Sequence, residues 1–307
     1  MSQITSWVDA HYHLWDLDEV HYPWLAAKGN ERFFGQPDRI RKNYLLADFA
    51  NDHQHKISKS VHIQVGASHS LEETALIHRL SQSSQSDNIH FPSAAVVAIN
   101  MRQPSIEQQL AAHLAYDITR GVRDIIGKSF EENKLLPEFI PEIWLSNWQY
   151  LASKSLSFDL QLTSEQYEIV LKTLEQVPDL KVAICHFASP WDQSNEGFAF
   201  WKKQMKAFAQ LPNCYMKLSG FSMFKHTFDP VSFQRYAHAA IEIFGPQRCM
   251  FGSNFPVDKL YISYADLFIQ WQEIISVYNK HEASSLAGIT ASNFYQLPLT
   301  PPINNEK

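Results

Sequence analysis

The first apolar segment of the chain carries two histidines separated by one residue, His11 and His13, with Asp9 two residues before them. If this segment is a strand, residues two positions apart point to the same face, so the two imidazoles lie side by side. Such a pair suits a divalent metal such as zinc, or a catalytic pair that grips one substrate. The alternative is a pair of solvent-facing histidines. We favour a functional pair, because Asp9 shares their face and no turn residue interrupts the segment.

The elements that position this pair follow from alternating patterns along the chain. Short β-rich segments predict strands near residues 7–13, 60–65, 94–99, 121–126, 157–162, 181–187, 214–219 and 248–253. Helical periodicity predicts helices near residues 43–55, 71–85, 105–115, 138–153, 164–177, 198–210, 230–244, 263–278 and 283–295. This alternation predicts an α/β fold, a parallel (β/α)8 TIM barrel with its chemistry at the carboxyl ends of the strands. A doubly wound sheet is the rival, but the chain has no glycine-rich phosphate loop.

Length and loop pattern predict one domain over residues 1–307, a size that such barrels often reach as one unit. The first connection, residues 14–42, is unusually long and contains Tyr22, Trp24 and Phe33. Loops of this length are usually functional, so we expect a flap over the barrel mouth. A surface excursion packed on the outer helices is the alternative.

Bulk composition excludes several classes of protein. A net charge of −6 argues against a nucleic-acid partner, and no apolar stretch is long enough to span a membrane. The first residues lack a basic region followed by an apolar one, so no secretory signal is expected. Three cysteines in apolar segments indicate reduced core residues and a cytoplasmic location. The pattern leaves open whether the barrel associates with a second copy.

Polar residues occur at or near the end of every predicted strand after the first. They are His62 and Gln64, Asn100, Arg123, Asp159 and Gln161, His186, Lys217 and Ser219, and Asn254 with Asp258. Each alone has a structural explanation: His62 as a core histidine, for example, or Lys217 paired with an outer carboxylate. Together they predict a site, because burying so many polar groups without a purpose is costly.

Within this ring, specific roles follow from residue chemistry. We expect His11, His13 and His186 to converge on one ion, whose bound water would be the nucleophile for hydrolysis of an ester or amide. Arg123 suits a substrate carboxylate or carbonyl, because its planar fork binds oxygen in a bidentate manner.

The motifs occur in the order and spacing of a known family and cover nearly the whole chain. They are Asp9–Trp15, Gly121–Arg123, His186–Pro190, Lys217–Gly220, Phe251–Asp258 and Asn293–Leu297. The chain resembles the amidohydrolase-related hydrolases, in the group of L-fuconolactonase, L-rhamnonolactonase and pyrone-dicarboxylate lactonase. The resemblance implies a distorted barrel acting on small acids or sugar lactones, with His11, His13 and His186 as site histidines and Arg123 binding substrate. The resemblance also implies one bound divalent metal ion, with zinc as the first candidate. The need for a metal varies among relatives of this group.

One position departs from the superfamily pattern. The usual aspartate after strand eight, both ligand and general base, is Asn254 here. Asparagine cannot accept a proton at neutral pH, although its oxygen can bind a metal or orient a water. The nearest carboxylate in sequence is Asp258, which either folds back over the site or caps the next helix, the role that we favour slightly.

Three functions follow for comparison. The first is a hydrolase that opens a sugar-acid or related lactone, in which Gln64, Arg123 and Gln161 hold carbonyl and hydroxyl groups. Its substrate ring would stack on Tyr22, Trp24 and Trp191. The second is a metal-dependent decarboxylase of a small aromatic or unsaturated acid. The third is a non-catalytic barrel that lost its base at Asn254.

Overall fold

The computed structural model describes residues 6–29, 31–84, 91–126 and 141–297. Eight parallel strands pair in sequence order from the first to the last. They are β1 (Val8–Tyr12), β2 (Lys59–Ile63), β3 (Ala94–Ala98), β4 (Thr119–Arg123), β5 (Ser157–Leu160), β6 (Lys181–Ile184), β7 (Cys214–Leu218) and β8 (Cys249–Phe251). The predicted (β/α)8 barrel is therefore confirmed.

Helices lie between the strands and after the last of them. They are α1 (Pro23–Ala26), α2 (Leu46–His53), α3 (Ser70–Ser84), α4 (Glu107–Leu114), α5 (Pro141–Ser153), α6 (Tyr167–Leu174), α7 (Asn195–Ala209), α8 (Pro230–Phe244), α9 (Tyr264–Ile275), α10 (Lys280–Ser284) and α11 (Thr290–Phe294), with a π-helical stretch at Ser285–Ile289. Residue 85 of one predicted helix and residues 138–140 of another lie outside the described residues. None of the described helices is long and apolar enough to cross a membrane.

Local sequence signals explain where several outer helices begin. The Ser194 hydroxyl accepts a hydrogen bond from the backbone N–H of Gly197 at 3.0 Å, which caps α7. The Asp229 carboxylate caps α8, whose first residue is Pro230. The Ser263 hydroxyl caps α9 by accepting from the N–H of Asp266 at 3.1 Å. These caps satisfy N–H groups that have no partner within the helix.

The barrel has an apolar interior that is closed at one end by the last helix. Buried side chains from five strands meet inside it: Val8, Ala10, Val61, Ile63, Ala94, Val96, Ala183 and Met250. Phe294 and Tyr295, at the end of α11, belong to the same cluster. The outer helices pack against the barrel through a second, larger core. The polar strand ends therefore rest on a rigid platform.

The contact between β1 and β8 completes the barrel and corrects one expectation. The backbone N–H of Asn254 donates to the His11 carbonyl at 2.7 Å, and that of His13 donates to the Phe255 carbonyl at 2.8 Å. The pairing of β1 with β2 is irregular between Asp9 and Tyr12. Asp9 therefore does not join the histidines, because an irregular register breaks the strict alternation of faces.

The carboxylate of Asp9 instead holds the β1–β8 contact together. It accepts hydrogen bonds from the Ser253 N–H at 2.9 Å and from the Tyr264 hydroxyl at 2.9 Å. Burial raises the pKa of Asp9 to about 6, an effect that these hydrogen bonds oppose. Asp9 thus has a structural role.

The long first connection has its own backbone structure. Trp15 and Tyr44 pair as an antiparallel bridge at its ends. In between, Arg41 donates to the carbonyl oxygens of Trp24 at 3.0 Å and Leu25 at 2.7 Å, which holds α1 in place. The Phe33 and Phe34 carbonyls accept from His226 and Tyr261 at 2.8 and 2.6 Å. These bonds tie the connection to the loops after β7 and β8.

Candidate active site

A cavity of about 840 Å³ opens at the carboxyl ends of the strands. Its lining combines polar side chains from the strand ends, His13, Arg123, Gln161, His186 and Asn254, with the flap aromatics Trp24, Phe33 and Phe34. Cavities with a few convergent polar groups and an aromatic wall are the usual form of small-molecule sites. We call the polar group of five residues the cavity floor.

Three histidine rings lie together here: His13 and His186 of the floor, and His11 directly beneath it. The ring centroid of His11 lies 4.4 Å from that of His186 and 5.1 Å from that of His13. Burial lowers the pKa of His13 to about 3, helped by the nearby Arg123. Burial also lowers the pKa values of His11 and His186 well below the usual range, and the cations around them act in the same direction. All three rings are therefore neutral at physiological pH.

His13, Asn254 and Asp258 form a chain of polar contacts. His13 Nδ1 lies 2.8 Å from the Ile63 carbonyl oxygen, so Nδ1 carries the proton and Nε2 can only accept. Nε2 faces the Asn254 amide at 3.1 Å, and the same amide faces an oxygen of Asp258 at 2.9 Å. The structure has Asn254 Oδ1 towards His13 and Asn254 Nδ2 donating to Asp258 Oδ1. Every donor meets an acceptor when this amide is turned over, so that its nitrogen faces His13 and its oxygen accepts from a protonated Asp258.

Asp258 is therefore a buried partner of Asn254 rather than a member of the cavity floor. Burial raises its pKa to about 7, although the nearby Ser222 hydroxyl, and Asn254 where its amide nitrogen faces the carboxyl, act in the opposite direction. Asp258 folds back behind the site, whereas the favoured role for it was capping the next helix. Ser263, not Asp258, caps α9.

His186 sits in a left-handed turn after β6. Four consecutive non-glycine residues, His186–Ser189, have φ values of 53–58°, and Asn254 has a φ of 56°. Such conformations cost energy and concentrate at functional sites. Trp201 Nε1 stabilises the turn by donating to the Phe187 carbonyl at 2.7 Å. His186 Nδ1 contacts the Ser219 hydroxyl at 3.0 Å, which orients the ring.

Two glycines allow the histidines to pack so closely. A Cβ on Gly220 would lie 2.3 Å from His186 Nδ1, and one on Gly252 would lie 2.6 Å from His11 Cβ. Gly220 also has a φ of +64°, which other residues rarely adopt. Both glycines were missed as site residues, although each stands in a quoted motif beside a polar strand end.

Arg123 is a buried cation at the cavity floor. It is 5% exposed, and burial lowers its pKa, although the guanidinium remains charged. Its Nη atoms donate to the Gln161 side chain at 3.3 Å and to the Gln64 carbonyl, and its Nε has no partner among the described residues. Among the described residues, no carboxylate lies within 4.0 Å of the guanidinium. The cation is free to meet an anionic oxygen in the cavity.

Beneath the floor lies a second polar group, which we call the lower layer: His11, Asp159, Cys185, Lys217 and Tyr295. The Lys217 ammonium is fully buried and forms an ion pair with Asp159 Oδ2. The Tyr295 hydroxyl donates to Asp159 Oδ1 at 2.8 Å, and the ammonium lies 5.1 Å from the Tyr295 ring centroid. Lys217 thus reaches an inner carboxylate and not an outer one. Tyr295 was not predicted as part of the site.

The lower layer also contains the group of metal-type ligands found among the described residues. Ligand atoms of His11, Asp159 and Cys185 all lie within 4.8 Å of one another. This group shares only His11 with the predicted set of His11, His13 and His186. The residue types suit a soft divalent ion, but Lys217 Nζ already contacts Asp159 and lies 3.5 Å from His11 Nδ1. A divalent cation does not fit this group while the ammonium is present.

The remaining predicted substrate-binding residues divide in two. Trp24 lines the cavity, whereas Tyr22 is 1% exposed in the core and Trp191 packs against Phe33 outside the lining. Phe33 and Phe34 of the flap line the cavity instead of Tyr22 and Trp191. The Gln64 side chain also turns away, since its oxygen accepts from the Gly66 N–H at 2.7 Å.

Comparison with known proteins places this barrel in a family. The amidohydrolase family model matches residues 8–275, and the chain belongs to that family. Uncharacterized protein y4mH of Sinorhizobium fredii is 33% identical over 94% of this chain and 98% of its own length. L-fucono-1,5-lactonase of Burkholderia multivorans is 26% identical over 95% of this chain and 96% of its own length.

A solved structure supports the fold. The crystal structure of an amidohydrolase from Burkholderia multivorans with bound zinc superposes with a TM-score of 0.77 at 22% identity. The match covers 95% of this chain and 100% of that one. At this level of identity the likeness supports the barrel architecture alone.

Proposed function

We propose that this chain is a lactonase that opens the ring of a small sugar-acid lactone by hydrolysis of its C–O ester bond. The observation that carries the proposal is the Arg123 guanidinium, buried without a carboxylate partner among the described residues at the floor of the cavity. Ester hydrolysis places negative charge on the carbonyl oxygen, and a preorganised cation stabilises it. The lactonase relative, aligned over most of the chain, supports this chemistry.

The floor residues divide the work of hydrolysis. The lactone carbonyl oxygen binds Arg123, and a water attacks the carbonyl carbon from the side of His13 and His186. His186 accepts the water's proton on Nε2 when its Nδ1 N–H donates to the Ser219 hydroxyl oxygen. The negative charge that develops on the substrate in this step offsets the burial and the neighbouring cations that lower the pKa of His186 in the resting site. The tetrahedral intermediate then collapses, and His186 returns the proton to the departing ring oxygen. The product is a hydroxy acid, whose carboxyl group then releases its proton to solvent and leaves a carboxylate beside Arg123.

The other lining residues orient the substrate. Gln161 accepts from Arg123 and offers its amide to a ring hydroxyl. Trp24 presents an apolar face on which a sugar ring can stack. Asn254 and Asp258 hold the His13 ring in place and do not act as the base.

A lactone panel tests this function. Purified protein is mixed with aldonolactones and hydrolysis is followed with a pH indicator, with carbon dioxide release from aromatic and unsaturated acids measured in parallel. We expect acceleration over buffer with at least one lactone, lost by roughly 10²-fold to 10⁴-fold in His186→Ala. His238→Ala is the matched control, because His238 lies on the outer helix α8 and contacts Tyr278. Decarboxylation without lactone hydrolysis would contradict the proposal.

A further inference from the structure

The lower layer has a composition that neither hydrolysis nor packing alone requires. A fully buried ammonium, Lys217, is placed among a carboxylate, a thiol and an imidazole that together resemble a metal-ligand set. Burying an ion pair is costly unless its geometry and hydrogen bonds are complete. Here both Asp159 oxygens are used, one by Lys217 and one by Tyr295.

We propose that Lys217 is the resident cation of this barrel: its ammonium takes the place of a divalent metal ion among His11, Asp159 and Cys185 and excludes such an ion from them. One observation and one physical argument carry this inference. Asp159, the only charged ligand of the group, already neutralises Lys217. An added dication would lie within a few ångströms of the ammonium, where like charges repel strongly.

The same ammonium determines which nitrogen of His11 carries the proton. Lys217 Nζ lies 3.5 Å from His11 Nδ1, and an N–H on Nδ1 would point towards a positive charge. Nδ1 is therefore the bare nitrogen and Nε2 is protonated. Nε2 is buried and has no hydrogen-bond partner in the part of the chain that the structure describes. Neither nitrogen is then available to a metal, since one faces the ammonium and the other holds the proton.

Lys217 is thus a positioning residue, which acts through Asp159 and His11. Its role at the active site rests on the proposed function, because the neutral, oriented His11 ring packs against His186. The exclusion of metal does not rest on it and is measured without any lactone. Failure of the lactone panel and failure of this inference are therefore distinguishable.

Cobalt titration of the full chain tests the exclusion. Protein stripped with a chelator is titrated with Co²⁺, and charge transfer from the Cys185 thiolate to cobalt is followed by absorption. We expect no such band in the wild type, a band in Lys217→Met, and its loss in Lys217→Met/Cys185→Ser. Co²⁺ affinity should rise by at least about tenfold in Lys217→Met, the equivalent of 1.4 kcal/mol. A band in the wild type that Cys185→Ser removes overturns the proposal, as does folded Lys217→Met that gains no affinity.

A second measurement uses the wild type alone, in case Lys217→Met does not fold. The nitrogen chemical shifts of histidine distinguish a protonated ring nitrogen from a bare one. For His11, assigned by its absence from His11→Gln, we expect a protonated Nε2 and a bare Nδ1. The reverse pattern, or a bare Nε2 that shifts on addition of Co²⁺, contradicts the assignment.

Discussion

The cavity floor and the lower layer both combine histidine with a buried cation, but they differ in how their polar atoms are partnered. In the lower layer, Lys217 and Asp159 neutralise each other, and the Tyr295 hydroxyl donates to the second oxygen of Asp159. In the floor, Arg123 has no carboxylate partner among the described residues and an unpartnered Nε. Unsatisfied groups facing a cavity are available to a ligand, whereas satisfied groups beneath it hold the structure.

The comparison has an energetic consequence. Removing one member of a satisfied buried pair leaves a charge without a partner and destabilises the protein. A buried cation without a partner lowers the stability of the folded state, so removing it should not destabilise the protein. Its removal should lower activity instead. The two layers should therefore respond oppositely to the same kind of substitution.

The largest effect is expected in the lower layer. Lys217→Met leaves Asp159 buried and unpaired, and the free energy of unfolding should fall by about 3–5 kcal/mol. Denaturant unfolding at neutral pH measures it. The matched control is Lys217→Met/Asp159→Asn, which removes both charges and should recover most of the loss. A single variant as stable as the wild type would show that the pair is not a unit.

Much of this arrangement could be predicted from the sequence. Hydrophobic alternation between the strand and helix segments located all eight strands, because parallel barrels bury their strands on both sides. The polar strand ends then had to meet at one rim, which is where His13, Arg123, Gln161, His186 and Asn254 line the cavity.

Other parts depend on contacts that spacing does not encode. The irregular register of β1 separated Asp9 from His11, which strict alternation could not foresee. Tyr295 reaches Asp159 across 136 positions of sequence from the closing helix. The aromatic lining depends on how the flap folds, so Phe33 and Phe34 line the cavity while Tyr22 is buried in the core.

The second prediction concerns pH and the support behind the floor. Asp258 has a pKa raised to about 7 from a reference of 3.8, so the folded state keeps a proton that the unfolded state loses. The stability from the neutral carboxyl is complete below pH 4 and is lost as pH rises through 7. Wild-type stability relative to Asp258→Asn should fall by roughly 4 kcal/mol between pH 4 and 8.

Unfolding of both proteins across this pH range measures the difference. Groups common to both, including Asp9 and the buried histidines, cancel in the subtraction. A difference that stays constant with pH would show that Asp258 is ionised throughout and that Asn254 keeps its amide nitrogen towards it.

The third prediction concerns the removal of Arg123 from the floor. Arg123→Met should lower kcat/KM for the responsive lactone by roughly 10²-fold to 10³-fold, about 3–4 kcal/mol of transition-state stabilisation. The same variant should unfold at equal or higher denaturant concentration than the wild type, in contrast to Lys217→Met. Arg120→Met, on the same strand but half-buried and bonded to the Thr119 carbonyl, is the control and should keep its activity. Loss of stability without loss of turnover in Arg123→Met would reverse the roles of the two layers.

The smallest effect is expected at the aromatic wall, which neither layer contains. Trp24 Nε1 donates to the Val65 carbonyl at 2.7 Å, and its indole lines the cavity. Trp24→Phe keeps an aromatic face and loses one hydrogen bond, so it should cost about 1 kcal/mol. We expect that cost to raise KM several-fold with kcat nearly unchanged, because the ring contacts substrate and transition state alike. Steady-state kinetics measures the change in KM and kcat. Trp191→Phe is the control, because the Trp191 ring lies outside the lining. A drop in kcat with KM unchanged would place Trp24 among the groups that act on the reacting ester.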